Sequence, residues 1–100
     1  MGPSAGTSPD GEITSEITVH LWAAAKAAAG TGRVAIPADT PLSLADVVEQ
    51  VLEGRPERLA AVLAGCAVLV GDRPAGTQDR ALVQVSPGDT VEFLPPFAGG

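Results

Sequence analysis

The sequence predicts an α+β domain in which one substantial helix packs on a single mixed sheet. Three observations carry this. Strand patterns open and close the patterned part of the chain: Ile17, Val19 and Leu21 alternate with Thr18, His20 and Trp22 near its start, and Thr90 to Leu94 reads as a strand near its end. Between them Leu44, Val47, Val48, Val51 and Leu52 recur at the helical period and form one apolar stripe. A length of 100 residues allows a single domain with one modest core.

The elements follow in order. Residues 1–15 are rich in Gly, Pro, Ser and Thr without apolar periodicity and are expected to be a disordered leader, partly of cloning origin. The domain is expected over 16–94. After the first strand, Ala23 to Ala29 is strongly helix-forming and Gly30 is its stop signal. Thr31-Gly32 turns the chain into a short strand over Arg33 to Ile36, ended by Pro37. The main helix has a capping signature in Ser43 with Asp46 three residues on, and Thr40-Pro41 offers an alternative start. Gly54 ends it. Leu59, Val62 and Leu63 mark a second short helix closed by Gly65.

Ala67 to Val70 is a continuous apolar run, expected as a strand covered on both faces. Gly71-Asp72-Arg73-Pro74 and Ser86-Pro87-Gly88-Asp89 are turn sequences, and Leu82, Val83 and Val85 suggest a brief extended segment between them. Antiparallel pieces flanking one helix argue for the β-grasp, or ubiquitin-like, arrangement.

Composition excludes several classes of function. Hydrophobic residues make up 45% of the chain and aromatics only 3%, so the core is built from Val, Leu, Ile and Ala. A net charge of -6 leaves no electrostatic footprint for nucleic acid or an anionic membrane surface. The single Cys66 rules out an internal disulfide and a cysteine-cluster metal site. No apolar stretch approaches the roughly 18 residues of a membrane span, and a basic, apolar secretory start is lacking. A cytoplasmic location is the expectation.

The chemistry is expected in the segment 95–100. Phe93-Leu94-Pro95-Pro96-Phe97-Ala98-Gly99-Gly100 carries no charge in a chain of which 18% is charged. Two prolines favour an extended, polyproline-like backbone that loses little entropy on binding. Gly99 and Gly100 remove every side chain from the last step, so the backbone can thread a narrow channel and its terminal carbonyl can be approached from either side. At neutral pH the terminal carboxylate is ionised and a poor electrophile. Adenylation by ATP would make its carbon attackable, and a sulfide or persulfide could then displace AMP and leave a thiocarboxylate.

These residues resemble the MoaD/ThiS family of sulfur carriers over about Glu16 to Gly100. The likeness rests on the opening strand running into an Ala-rich helix and Gly30, on the helix start Ser43-Leu44-Ala45-Asp46-Val47-Val48, and most specifically on Gly88-Asp89-Thr90-Val91-Glu92 followed by the tail. The resemblance implies a β-grasp fold and a carrier without catalytic side chains of its own. It implies a thiocarboxylate on Gly100, made by a ubiquitin-activating-like adenylyltransferase that uses ATP and by a persulfide-bearing sulfur donor, with no stably bound cofactor. Pro95-Pro96 favours the molybdopterin branch, for which the family implies the molybdopterin synthase large subunit as partner. Gly71-Asp72 after the third long strand departs from the Val-Asn common there, and the leader is additional. A carrier for thiamine, cysteine or sulfur-containing secondary metabolites, or a ubiquitin-like modifier, is the alternative, as is a plain binding module that ignores its tail.

Other residues have simpler readings. Phe97, with Ala98, Pro96 and Pro95, is expected to contact a partner's channel, and Phe93 to lie in the core. Cys66 is expected to be a core thiol, with no neighbouring cation to lower its pKa. His20 has no companion at metal-ligand spacing. Trp22 is expected to cover the sheet edge, and Arg55, Arg58 and Arg73 to be surface charge. No GxGxxG or P-loop suggests a bound nucleotide.

Overall fold

The structure is a computed structural model that describes residues 15–76 and 78–96. Among the described residues, seven strands and three helices follow in order: β1 (Glu16–Leu21), α1 (Ala23–Ala29), β2 (Arg33–Pro37), β3 (Leu42–Ser43), α2 (Leu44–Leu52), α3 (Arg58–Gly65), β4 (Ala67–Val70), β5 (Arg73–Pro74), β6 (Gln84–Val85) and β7 (Thr90–Leu94), with a 3-10 turn at Arg80–Leu82. Five strands form one sheet in the order β2-β1-β7-β4-β5. At its centre β1 and β7 run parallel, Val19 opposite Val91 and Leu21 opposite Phe93. The flanking pairs are antiparallel. First and last strands side by side and parallel, each flanked by an antiparallel neighbour, with a helix across one face, is the β-grasp fold.

One core holds the sheet to the helices. Ile17, Val19 and Leu21 of β1, Val91 and Phe93 of β7, and Val68 and Val70 of β4 alternate inward, where they meet Leu44, Val47 and Val51 of α2 and Leu59 and Leu63 of α3. The stripe on α2 is thus buried deepest along Leu44, Val47 and Val51, while Val48 and Leu52 are half-buried at its margin. The Ser43 hydroxyl accepts from the Asp46 amide at 3.0 Å, the expected cap. Gly30 closes α1 at φ 79°, where a Cβ would be strained although nothing lies within 4 Å of it.

The structure corrects several expectations. Thr40-Pro41 does not start α2. Instead Leu42–Ser43 pairs with Gln84–Val85 as a second, two-stranded sheet, and the Leu44 amide donates to Val83 O at 2.8 Å. The segment 82–85 is extended only in part: Leu82 belongs to the 3-10 turn and is 78% exposed, because the Asp79 carboxylate accepts from the Ala81 amide and winds the chain there. Arg73–Pro74, read as turn, forms an edge strand on β4, a place where proline's missing N–H costs nothing.

β4 is covered on one face rather than two, with Ala67 and Leu69 only half-buried. It is an antiparallel strand in a sheet with one face in the core, so its apolar run did not signal double burial. Of the expected leader, residues 1–14 lie outside the described residues. Ser15 joins the domain through its carbonyl, which accepts from the Ala38 amide at 3.1 Å.

Candidate functional site

The site expected from the sequence begins where β7 ends. Leu94 still pairs with Ala67 of β4, but on the other side the β1 register stops at Leu21 opposite Phe93. Pro95 and Pro96 follow, both exposed and without amide hydrogens, so the ladder cannot continue. Phe93, fully buried, anchors the strand in the core as expected. Phe97, Ala98, Gly99 and Gly100 lie outside the described residues.

Trp22 meets this exit from beyond the end of β1. Its backbone amide donates to Phe93 O at 3.2 Å, and its indole Nε1 donates to Glu92 Oε1 at 3.2 Å. His20, one outward position back along β1, stacks on it with ring centroids 6.5 Å apart and planes inclined by 29°. The indole is 47% exposed. Directly after Trp22 the chain turns into α1 through Ala23 at φ 51°, a left-handed backbone that costs a non-glycine residue roughly 1–2 kcal/mol. Trp22, Ala61, Val62, Cys66, Pro95 and Pro96 together line an apolar groove of about 250 Å³ beside the exit. The expectation that Trp22 covers the sheet edge is corrected: β1 and β7 are interior strands, and Trp22 bridges the end of one to the end of the other.

Cys66 lies half-buried at the junction of α3 and β4, and its thiol donates to Val62 O at 3.2 Å. Burial pushes the thiol above its ordinary pKa, and the Arg80 guanidinium opposes this by favouring the thiolate. The neighbouring cation absent from the local sequence is therefore supplied from the 3-10 turn. Arg80 also donates from Nη2 to Cys66 O at 3.4 Å and lies over the Phe93 ring. Burial remains the larger influence, so the thiol is not an activated nucleophile.

Arg55 is more than surface charge, since its Nη1 donates to Val51 O at 2.8 Å and satisfies a free carbonyl near the end of α2. Arg58 and Arg73 are exposed, as expected. No group of three or more His, Cys, Asp or Glu side chains among the described residues could hold a metal ion. No helix among them is long and apolar enough to cross a membrane. The Trp22–Glu92 bond was missed from sequence because its partners lie 70 residues apart. Its only local signal is the position of Trp22, one residue past a strand and one before a helix.

A ubiquitin-like β-grasp domain whose last strand runs out into a proline-stiffened arm is the class that this fold and exit define. The chain belongs to the ThiS family of ubiquitin-like sulfur carriers, whose family model matches residues 19–100. It is 32% identical over 83 residues to the molybdopterin synthase sulfur carrier subunit of Aspergillus niger, covering 82% of this chain and 91% of that one. Among solved structures it is similar to the crystal structure of Haloferax volcanii small archaeal modifier protein 1, with a TM-score of 0.66 and 18% identity over 83% of this chain and 99% of that chain. It is similar also to a chain in the complex of subunits 1 and 2 of molybdopterin-converting factor from Helicobacter pylori, with a TM-score of 0.57 and 24% identity over 85% and 99% of the two chains. At these identities the structural likenesses speak to the fold alone.

Proposed function

We propose that this chain is the small, sulfur-carrying subunit of a molybdopterin synthase and works through the carboxylate of Gly100. The observation that carries this is the 32% identity to a molybdopterin synthase sulfur carrier subunit across 82% of the chain. Two further facts support it. The family match extends through residue 100, and the last strand leads into Pro95-Pro96, both exposed, rather than into a continued ladder.

In this reading a Gly100 carboxylate oxygen attacks the α-phosphorus of ATP on a ubiquitin-activating-like adenylyltransferase, and pyrophosphate leaves. The terminal sulfur of a persulfide on the donor then attacks the acyl carbon, and AMP leaves. A thiol cleaves the resulting acyl disulfide, taking the donor sulfur into a new disulfide and releasing the thiocarboxylate. The arm next delivers this sulfur to a pterin substrate held by the large subunit. The carrier contributes positioning, and the reacting groups are ordered by its partners. For the partner, the parallel is the two-subunit complex of the Helicobacter pylori protein.

Intact mass after incubation with ATP, a sulfur source and an activating enzyme tests the proposal. A gain equal to replacing one oxygen by sulfur is the expected result. Isopeptide adducts instead would favour a ubiquitin-like modifier. Transfer from the loaded carrier to a thiamine precursor but not to a pterin would place it in another sulfur pathway.

A further inference from the structure

We propose that Trp22 is the positioning residue of the carrier's arm, holding the end of β7 through Glu92 and Phe93 so that the segment from Pro95 leaves the domain in a fixed direction. This rests on the sulfur-carrier reading above. Four observations converge on it. The β1–β7 register ends at Leu21 opposite Phe93, so beyond that pair Leu94 is held by β4 alone. Trp22 is the last residue from the β1 side to reach β7, by its amide to Phe93 O at 3.2 Å, which closes the ladder, and by its indole to Glu92 Oε1 at 3.2 Å, which adds a side-chain tie. Trp22 lines one apolar groove together with Pro95 and Pro96. The next residue, Ala23, turns the chain sharply into α1 at a positive φ of 51°.

A tryptophan that is 47% exposed and followed by a strained alanine is a poor way to build a core, but a rigid flat side chain suits a brace. The consequence is kinetic. Once the domain has docked on an activating enzyme, the chance that the chain end occupies the reaction centre depends on how narrowly the arm is aimed at its root. Loosening the root spreads the arm over more directions, which lowers turnover in the docked complex and leaves docking itself unaltered. A residue that merely touches the partner would do the reverse and raise KM.

ATP–pyrophosphate exchange on an adenylating enzyme of the ubiquitin-activating type, with the full carrier as varied substrate, separates these outcomes. Trp22→Phe keeps the ring and removes the indole N–H, and Glu92→Ala removes its acceptor. Each is expected to lower kcat about fivefold, the size of one ordinary net hydrogen bond, with KM unchanged. The double variant should be no slower than either single one, and Glu92→Gln, which retains an acceptor oxygen, should restore most of the rate. Backbone 15N relaxation gives a readout independent of activity: the Leu94 amide should become more mobile on the ps–ns timescale in Trp22→Phe.

Unchanged kcat in both variants, or a raised KM with kcat intact, would overturn the brace. So would unaltered Leu94 relaxation in Trp22→Phe. A wild-type carrier that supports no exchange on several such enzymes would instead overturn the sulfur-carrier reading, and the relaxation data would still judge the brace.

Discussion

The Arg80 guanidinium lies 5.8 Å from the centroid of the Phe93 ring, which ties the 3-10 turn to the last strand. The same side chain donates to Cys66 O, so one residue gathers the turn, the start of β4 and the core end of β7. Arg80→Ala should lower stability by about 1 kcal/mol, from the lost cation–π contact and hydrogen bond, measurable as a shifted urea midpoint with an unchanged m-value. A midpoint identical to wild type would show that the contact carries no net energy.

The cap on α2 should matter more than its exposed position suggests, because Ser43 also pairs with Gln84 in the small sheet. Ser43→Ala is expected to destabilise the domain by roughly 1 kcal/mol, and Ser43→Asp to recover most of that. Thermal unfolding of the three proteins checks the order.

Cys66 carries a pH prediction. Burial raises its pKa in the folded state, with Arg80 partly opposing. The folded chain therefore holds this proton more tightly than the unfolded chain does. Its contribution to stability is complete below the ordinary thiol value and is lost as pH rises through the folded one. Stability should thus decline on the alkaline side, and the decline should be shallower in Cys66→Ala. Alkylation by iodoacetamide at pH 8 should be slower for Cys66 than for an unstructured cysteine peptide, while sulfur loading should survive Cys66→Ala.

Deleting Gly100, or adding any residue after it, should abolish sulfur loading while leaving the melting temperature within error of wild type. The first effect follows from using the carboxylate itself as reagent. The second follows because Pro95 and Pro96 are already exposed beyond the last paired residue, Leu94. Loading that persists in either variant would remove Gly100 from the working end.

Truncating the buried anchor of the same strand should show the opposite pattern. Phe93→Leu keeps an apolar side chain but leaves a void, so it should lower stability by about 1–3 kcal/mol. Chemical denaturation measures the loss, and equal stability would mean that the core repacks around Leu.

Local signals were enough for much of this molecule. The period of Leu44, Val47 and Val51 marked the main helix, Ser43 its start and Gly30 the end of α1, because caps and amphipathic stripes are interactions between residues three or four apart. The end of the ladder at Pro95-Pro96 was legible in the same way, since it depends on residue types in one short run. Tertiary structure decided the rest. It set β1 parallel to β7, put Arg73–Pro74 on a sheet edge, opened one face of β4 to solvent, and brought Arg80 to Cys66 and Trp22 to Glu92. Each of those joins residues distant along the chain through a register or a packing contact. Such contacts exist only once the core has chosen which strands lie side by side, so no stretch of sequence carries their mark.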